Sequence, residues 1–96
     1  MITRIVKLTI LPDKATEFVT LFNESKSIIL NSEGCTYVEI LRDTQHPQLF
    51  FTYSSWDSEE HLNLYRNSEL FKNIWSRTKV LFADKAEAWS LKPCNE

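Results

Sequence analysis

A single glycine, Gly34, stands in the 96 residues of this chain. One glycine cannot furnish a GxGxxG loop, so the dinucleotide-binding fingerprint is excluded. Cysteine is almost as scarce: Cys35 and Cys94 lie 59 positions apart, outside any CxxC or Cys/His spacing. That spacing fits reduced thiols rather than a disulfide or a zinc site. The two histidines, His46 and His61, are 15 positions apart with no further ligands at suitable spacing, so no metal centre is expected. No apolar run approaches the roughly 20 residues needed to cross a bilayer. A strand-like pattern begins at Ile2 and leaves no room for a signal peptide, so a soluble, cytoplasmic protein is expected. The 11 Lys and Arg are scattered and the net charge is −2. Without a basic stripe to track phosphates, nucleic acid is not an expected partner.

Large side chains are plentiful, with 43% hydrophobic and 12% aromatic residues. A chain of this length forms one domain, 1–96, and buries only about 60–65% of the surface its unfolded form exposes. Its own core is therefore thin, and part of the aromatic surface is expected to need a partner.

Periodicity divides the chain into seven elements. Residues 2–11 alternate, with Ile2, Arg4, Val6, Leu8 and Ile10 on one face and Thr3, Ile5, Lys7, Thr9 and Leu11 on the other. Pro12 and Asp13 offer a turn and an N-cap. Ala15, Phe18, Val19, Phe22 and Ile29 then fall at helical spacing, interrupted by Ser25, which predicts a helix over about 13–32 that ends ahead of Gly34. Residues 35–42 and 48–56 alternate again around the turn at 43–47, giving a hairpin. Asp57, with Glu60 three positions on, reads as the cap of a short helix over roughly 58–66. Asn67-Ser68 recaps the chain, and Phe71, Ile74, Trp75, Thr78 and Phe82 form the inward stripe of a third helix. Residues 85–91 close as a strand, and Pro93 ends regular structure.

The order β-α-β-β-α-α-β predicts an α+β, ferredoxin-like fold: a four-stranded antiparallel sheet with its helices on one face. The other face is expected to carry Ile5, Leu11, Trp89 or its strand neighbours, and Tyr37 or Phe51. So much apolar surface is rarely left wet in a monomer, so two chains are expected to pack sheet against sheet as a homodimer.

Several stretches resemble the antibiotic biosynthesis monooxygenase family of dimeric α+β barrel proteins. These are the opening strand with its Pro-Asp turn, GCTYVEILRD, FFTYSSWDSEEHL, YRNSELFK and the closing AEAWSL. The most specific part is the mutual spacing of Trp56, Ser58, Leu62, Ser68 and Phe71. The resemblance implies a cofactor-independent oxygenase acting on a small aromatic, quinol or polyketide-like substrate with dioxygen. Related branches degrade haem or isomerise a phosphorylated sugar, so the fold alone does not choose a reaction. Matching the haem-degrading branch residue by residue puts Val6, Tyr65 and Trp75 where that branch carries an asparagine, a tryptophan and an iron-ligating histidine. All three depart from its pattern, and haem turnover is not expected.

An anionic phenol needs only an apolar pocket, a proton acceptor and donors to hold the charge, so no cofactor is expected. Tyr65 is the candidate to bind or protonate a substrate oxygen, against a core tyrosine whose hydroxyl reaches water. His61 is the candidate base, since imidazole titrates near neutrality, against a solvated helix residue. Trp56, Phe71, Trp75 and Val6 are candidate walls for the substrate, against plain core packing. Arg4 on an apolar strand face holds either an anionic substrate or Glu39, or reaches water at the strand end. Glu39 is a weaker candidate base, more naturally an interfacial ion-pair partner. Phosphosugar isomerisation would need several converging cations, and only Arg4 stands out. A non-catalytic ligand-binding or stress-related dimer is the alternative.

Overall fold

The alternation at the start of the chain builds strand β1 (Ile2–Thr9), which runs through the middle of a four-stranded sheet of order β2-β3-β1-β4. The computed structural model describes residues 1–94. Strand β1 pairs antiparallel with β3 (Leu49–Trp56) on one side, Val6 opposite Thr52, and with β4 (Glu87–Leu91) on the other, Val6 opposite Ala88. Strand β2 (Cys35–Arg42) is the far edge and forms the expected hairpin with β3. The loop between them needs no glycine, because Asp43 Oδ1 accepts the N–H groups of Gln45 and His46, each at 2.8 Å.

Helices α1 (Ala15–Leu30), α2 (Glu59–Arg66) and α3 (Glu69–Lys79) cover one face of this sheet, completing the ferredoxin-like arrangement. Among the described residues, no helix is long and apolar enough to cross a membrane. Phe18, Leu21, Phe22 and Ile29 of α1 are buried against the sheet. Phe18 meets Phe50 edge-on at 4.9 Å in a cluster with Leu8, Ile10 and Leu81. Burying one such side chain stabilises the fold by roughly 1.5–3 kcal/mol. Ser25, the polar gap in the stripe, is buried as well and donates its hydroxyl to the Leu21 carbonyl at 2.8 Å.

Element ends depart from the periodicity in four places. Strand β1 stops at Thr9, because Ile10 bridges only to Phe82 and the Leu11 N–H bonds the Leu81 carbonyl; Leu11 is therefore not on the open face. Pro12–Lys14 form a 3-10 turn and α1 starts at Ala15 with no side-chain cap from Asp13. The cap of α2 is Ser58 rather than Asp57: its backbone is extended and its Oγ accepts the His61 N–H. Finally, α3 ends at Lys79, so Phe82 lies beyond it, although its ring still packs on Trp75 at 5.4 Å. Ser68 caps α3 as expected, accepting the Phe71 N–H.

Among the described residues, none covers the opposite face of the sheet. Its register places Glu39, Tyr53, Ile5 and Trp89 in one row, and Leu41, Phe51, Lys7 and Glu87 in the next. Tyr37, Leu41, Trp89 and Leu91 are each more than 40% exposed. All five residues of β4 are exposed.

Candidate functional site

Between the helices and the covered face of the sheet lies a cavity of about 340 Å³, at the small end of the range for ligand sites. Strand β1 contributes Arg4, Val6 and Leu8 to its floor, one residue in two, and β3 adds Thr52, Ser54 and Trp56. Helix α1 supplies an apolar side through Phe22 and Ile29, and α3 supplies Phe71, Ile74 and Trp75. Helix α2 contributes Leu62, Tyr65 and Arg66, which are spaced i, i+3, i+4 and so share one helix face. Arg66 and Ala88 line the cavity and are also exposed, which puts its mouth between the end of α2 and the edge strand β4.

One wall is a continuous aromatic run. Trp56 stacks on Tyr65 at 4.9 Å, Tyr65 meets Phe71 edge-on at 5.2 Å, and Phe71 stacks on Trp75 at 5.9 Å. Trp56 is only 1% exposed, and its indole N–H donates to Ser54 Oγ at 3.0 Å, which fixes the ring. Trp56 therefore anchors α2 to the sheet and faces the cavity at once.

Burial pushes the Tyr65 hydroxyl up to about 12, with the Cys35 thiol nearby adding to the shift. No hydrogen bond to the hydroxyl offsets this among the described residues. Near neutral pH Tyr65 is thus a neutral phenol, able to donate a hydrogen bond and unsuited to act as a base. Burial also raises the Cys35 thiol, partly offset by its hydrogen bond with the Tyr37 backbone.

Arg4 is half-buried and donates from Nη1 to Ser90 Oγ at 2.9 Å. Burial lowers its guanidinium from the usual range, and the like charge of Arg66 lowers it further. Arg4 has no contact with Glu39, which points to the opposite face of the sheet and accepts the Tyr37 hydroxyl instead. The strand register, with Arg4 opposite Ser54 and Glu39 opposite Tyr53, forbids that pairing.

Six of the seven candidate residues, Arg4, Val6, Trp56, Tyr65, Phe71 and Trp75, line this one cavity. His61 does not. Its Nδ1 is 2.8 Å from Ser58 Oγ, its Nε2 is 3.8 Å from Glu33, and its ring lies over Gly34. Held by these contacts, it is not among the residues that line the cavity. His46 lies in the exposed hairpin loop. Among the described residues, no His, Asp, Glu or Lys lines the cavity, and no group of three or more His, Cys, Asp or Glu could hold a metal ion. Arg66 also lines the cavity and was not singled out from the sequence, although its i+4 spacing from Leu62 was a usable signal.

Comparison with known proteins bears on the same region. The family model for antibiotic biosynthesis monooxygenases matches residues 1–76, which include α2 and most of α3 but not β4. Among solved structures, a conserved protein from Methanosarcina mazei Go1 superposes with a TM-score of 0.88 at 22% identity, covering 96% of this chain and 92% of that one. A structure described as an antibiotic biosynthesis monooxygenase gives 0.90 at 15% identity over 99% of this chain and 100% of its own. A protein of Nitrosomonas europaea, provisionally given the same name, gives 0.89 at 14% identity with the same coverage. At these identities the likeness is one of fold. A search of curated proteins finds no match.

Proposed function

Because the chain belongs to the antibiotic biosynthesis monooxygenase family, we propose that it oxygenates a small, electron-rich aromatic hydroxyl compound, a quinol or polyketide-like phenol, bound in the cavity beneath the helices. The observation that carries this reading is the Tyr65 hydroxyl, neutral and uncommitted, set into an aromatic wall of matching size. A phenol that keeps a ring hydrogen first loses its hydroxyl proton. The phenolate then gives one electron to dioxygen, and the resulting superoxide couples to the ring carbon, forming a C–O bond. Cleavage of the O–O bond with loss of the ring hydrogen leaves a carbonyl and releases one water. One oxygen atom stays in the product, the other leaves as water, and every electron comes from the substrate.

In this scheme Tyr65 donates a hydrogen bond to the substrate oxygen and favours its anionic form. Trp56, Phe71 and Trp75 hold the ring and keep water from the radical pair. His61 has no part, and the first proton leaves through the mouth beside Arg66. Oxygen uptake with a panel of hydroquinones and phenols, together with identification of the quinone formed, tests the reading. Tyr65→Phe should slow turnover by about tenfold or more, the usual effect of losing one acid–base or oxyanion contact. An unchanged rate removes Tyr65 from the mechanism.

One observation favours a second reading, a non-catalytic module that only binds such a ligand: among the described residues, no side chain that titrates near neutrality lines the cavity. Saturable binding with no oxygen consumption across the panel selects that alternative.

We further propose that a second copy of the chain covers the open sheet face. Among the described residues, the one ion pair on that face, Lys7–Glu87 at 3.4 Å, is internally satisfied, which leaves the aromatic rows around Tyr53, Ile5 and Trp89 to pack against their own symmetry mates.

A further inference from the structure

We infer that the cavity recognises an aromatic anion, whose single oxyanion group is gripped between Arg4 and Arg66 while its ring lies along the Trp56–Tyr65–Phe71 wall. This rests on the cavity being the substrate site and narrows the class of ligand it accepts. Two guanidinium groups line one small cavity, and no carboxylate lines it with them among the described residues. The chain has 13 acidic residues and places some of them beside cations elsewhere, as in Lys7–Glu87 and Lys72–Glu69. Neither arginine has such a partner among the described residues. Like charges in a partly desolvated space repel, so the arrangement is disfavoured until an anion enters.

The neighbouring polar groups have the same character. Arg4 commits one of its five N–H donors, to Ser90 Oγ. Ser54, opposite Arg4 on β3, already accepts the Trp56 indole N–H, so its own proton is free to point at a ligand. Tyr65 adjoins Arg66 in sequence, stacks on the same Trp56 and is held in its donating form. Four donors, Arg4, Arg66, Ser54 and Tyr65, therefore line the same small cavity. Of the other three lining hydroxyls, Ser25 and Thr78 spend their protons on the carbonyls of Leu21 and Ile74 in the helices opposite, and Thr52 lies on β3 opposite Val6. An arriving negative charge would offset the burial cost and the repulsion from Arg66 that lower the Arg4 guanidinium.

The anion is either a carboxylate on the ring or the ionised hydroxyl itself, and one titration distinguishes them. Binding is followed by isothermal titration calorimetry with 2-naphthoate, its neutral isostere 2-naphthamide, and 2-naphthol over a pH range spanning its ionisation. The expected result is binding of 2-naphthoate at least about tenfold tighter than of 2-naphthamide, as a charge-assisted contact provides. Arg66→Gln and Arg4→Gln should each remove about tenfold of 2-naphthoate affinity while leaving 2-naphthamide unchanged. Arg66 is exposed, so its variant keeps the fold and provides the cleaner test. Tightening of 2-naphthol as it ionises identifies the phenolate as a ligand, and its absence assigns the site to carboxylates. Equal affinity for 2-naphthoate and 2-naphthamide, or an equal loss of both in Arg66→Gln, overturns the inference. Oxygen uptake is measured separately, so anion binding without turnover defeats the oxygenase reading alone, and turnover of the phenol panel together with equal affinity for 2-naphthoate and 2-naphthamide defeats this inference alone.

Discussion

Replacing Gly34 by alanine should destabilise the protein for two separable reasons. Gly34 has φ +83°, a left-handed conformation that costs an L-residue roughly 1–2 kcal/mol. A Cβ there would also lie 2.3 Å from His61 Cγ and 2.5 Å from His61 Cβ, so α2 itself would have to move. Overlap of this kind in a packed contact costs about 1–3 kcal/mol. Gly34→Ala alone should therefore lose about 2–5 kcal/mol, a drop in Tm on the order of 10–20 °C for a domain of this length. His61→Ala cannot relieve the clash, because it retains the offending Cβ. His61→Gly can, at its own cost of about 1 kcal/mol for helical glycine and about 1 kcal/mol for the lost Ser58 contact. In the His61→Gly background, Gly34→Ala should cost only the conformational 1–2 kcal/mol. Urea denaturation of the four proteins measures the coupling. If Gly34→Ala costs the same in both backgrounds, the packing role assigned to His61 is refuted and its exclusion from the cavity loses its physical basis.

Two further outcomes follow from the same structure. The Tyr65 hydroxyl is raised to about 12 in the folded state against about 10 unfolded, so the stability it contributes is fully present below pH 10 and is lost as pH rises through 12. That loss is worth roughly 2–3 kcal/mol, and chemical denaturation at stepped alkaline pH should find it missing in Tyr65→Phe; parallel curves for the two proteins would contradict the burial of this hydroxyl. On the open face, Trp89→Glu should leave the single chain folded, because the side chain is 44% exposed, yet weaken self-association by about 2–4 kcal/mol, as loss of a central aromatic anchor does. Sedimentation velocity at micromolar concentration reads this directly, and a monomeric parent protein would dismiss the sheet-to-sheet dimer.

Alternation and helical spacing made the element order, the sheet's two faces and most of the cavity legible, because both periods report burial directly. Val6 and Arg4 share a face with Leu8 by the geometry of a strand, and that alone brought them to the floor of the cavity. Element ends were less legible. Asp57 and Ser58 are both good capping residues, and the choice of Ser58 depends on an extended backbone at that position, which composition does not encode. His61 and Arg66 illustrate the limit for function. Both are cationic-type residues on one eight-residue helix, and chemical suitability drew attention to His61. Position separates them: Leu62, Tyr65 and Arg66 line the cavity, and His61 does not. The pairing of Arg4 with Arg66 was beyond reach of the sequence, since it joins residues 62 positions apart through tertiary packing.

The closing strand β4 belongs to two surfaces at once. Trp89 and Ser90 are consecutive, so one points to the rear of the sheet while the other, on the opposite side, anchors Arg4 at the cavity rim. A strand of five exposed residues at a sheet edge has little of its own to hold it in register. Whatever clamps Trp89 from behind therefore also steadies the guanidinium in front, and by reciprocity a ligand that fixes Arg4 strengthens the grip on the far side. The proposed self-association and the proposed ligand uptake should therefore behave as one linked equilibrium, each titrated in the presence of the other.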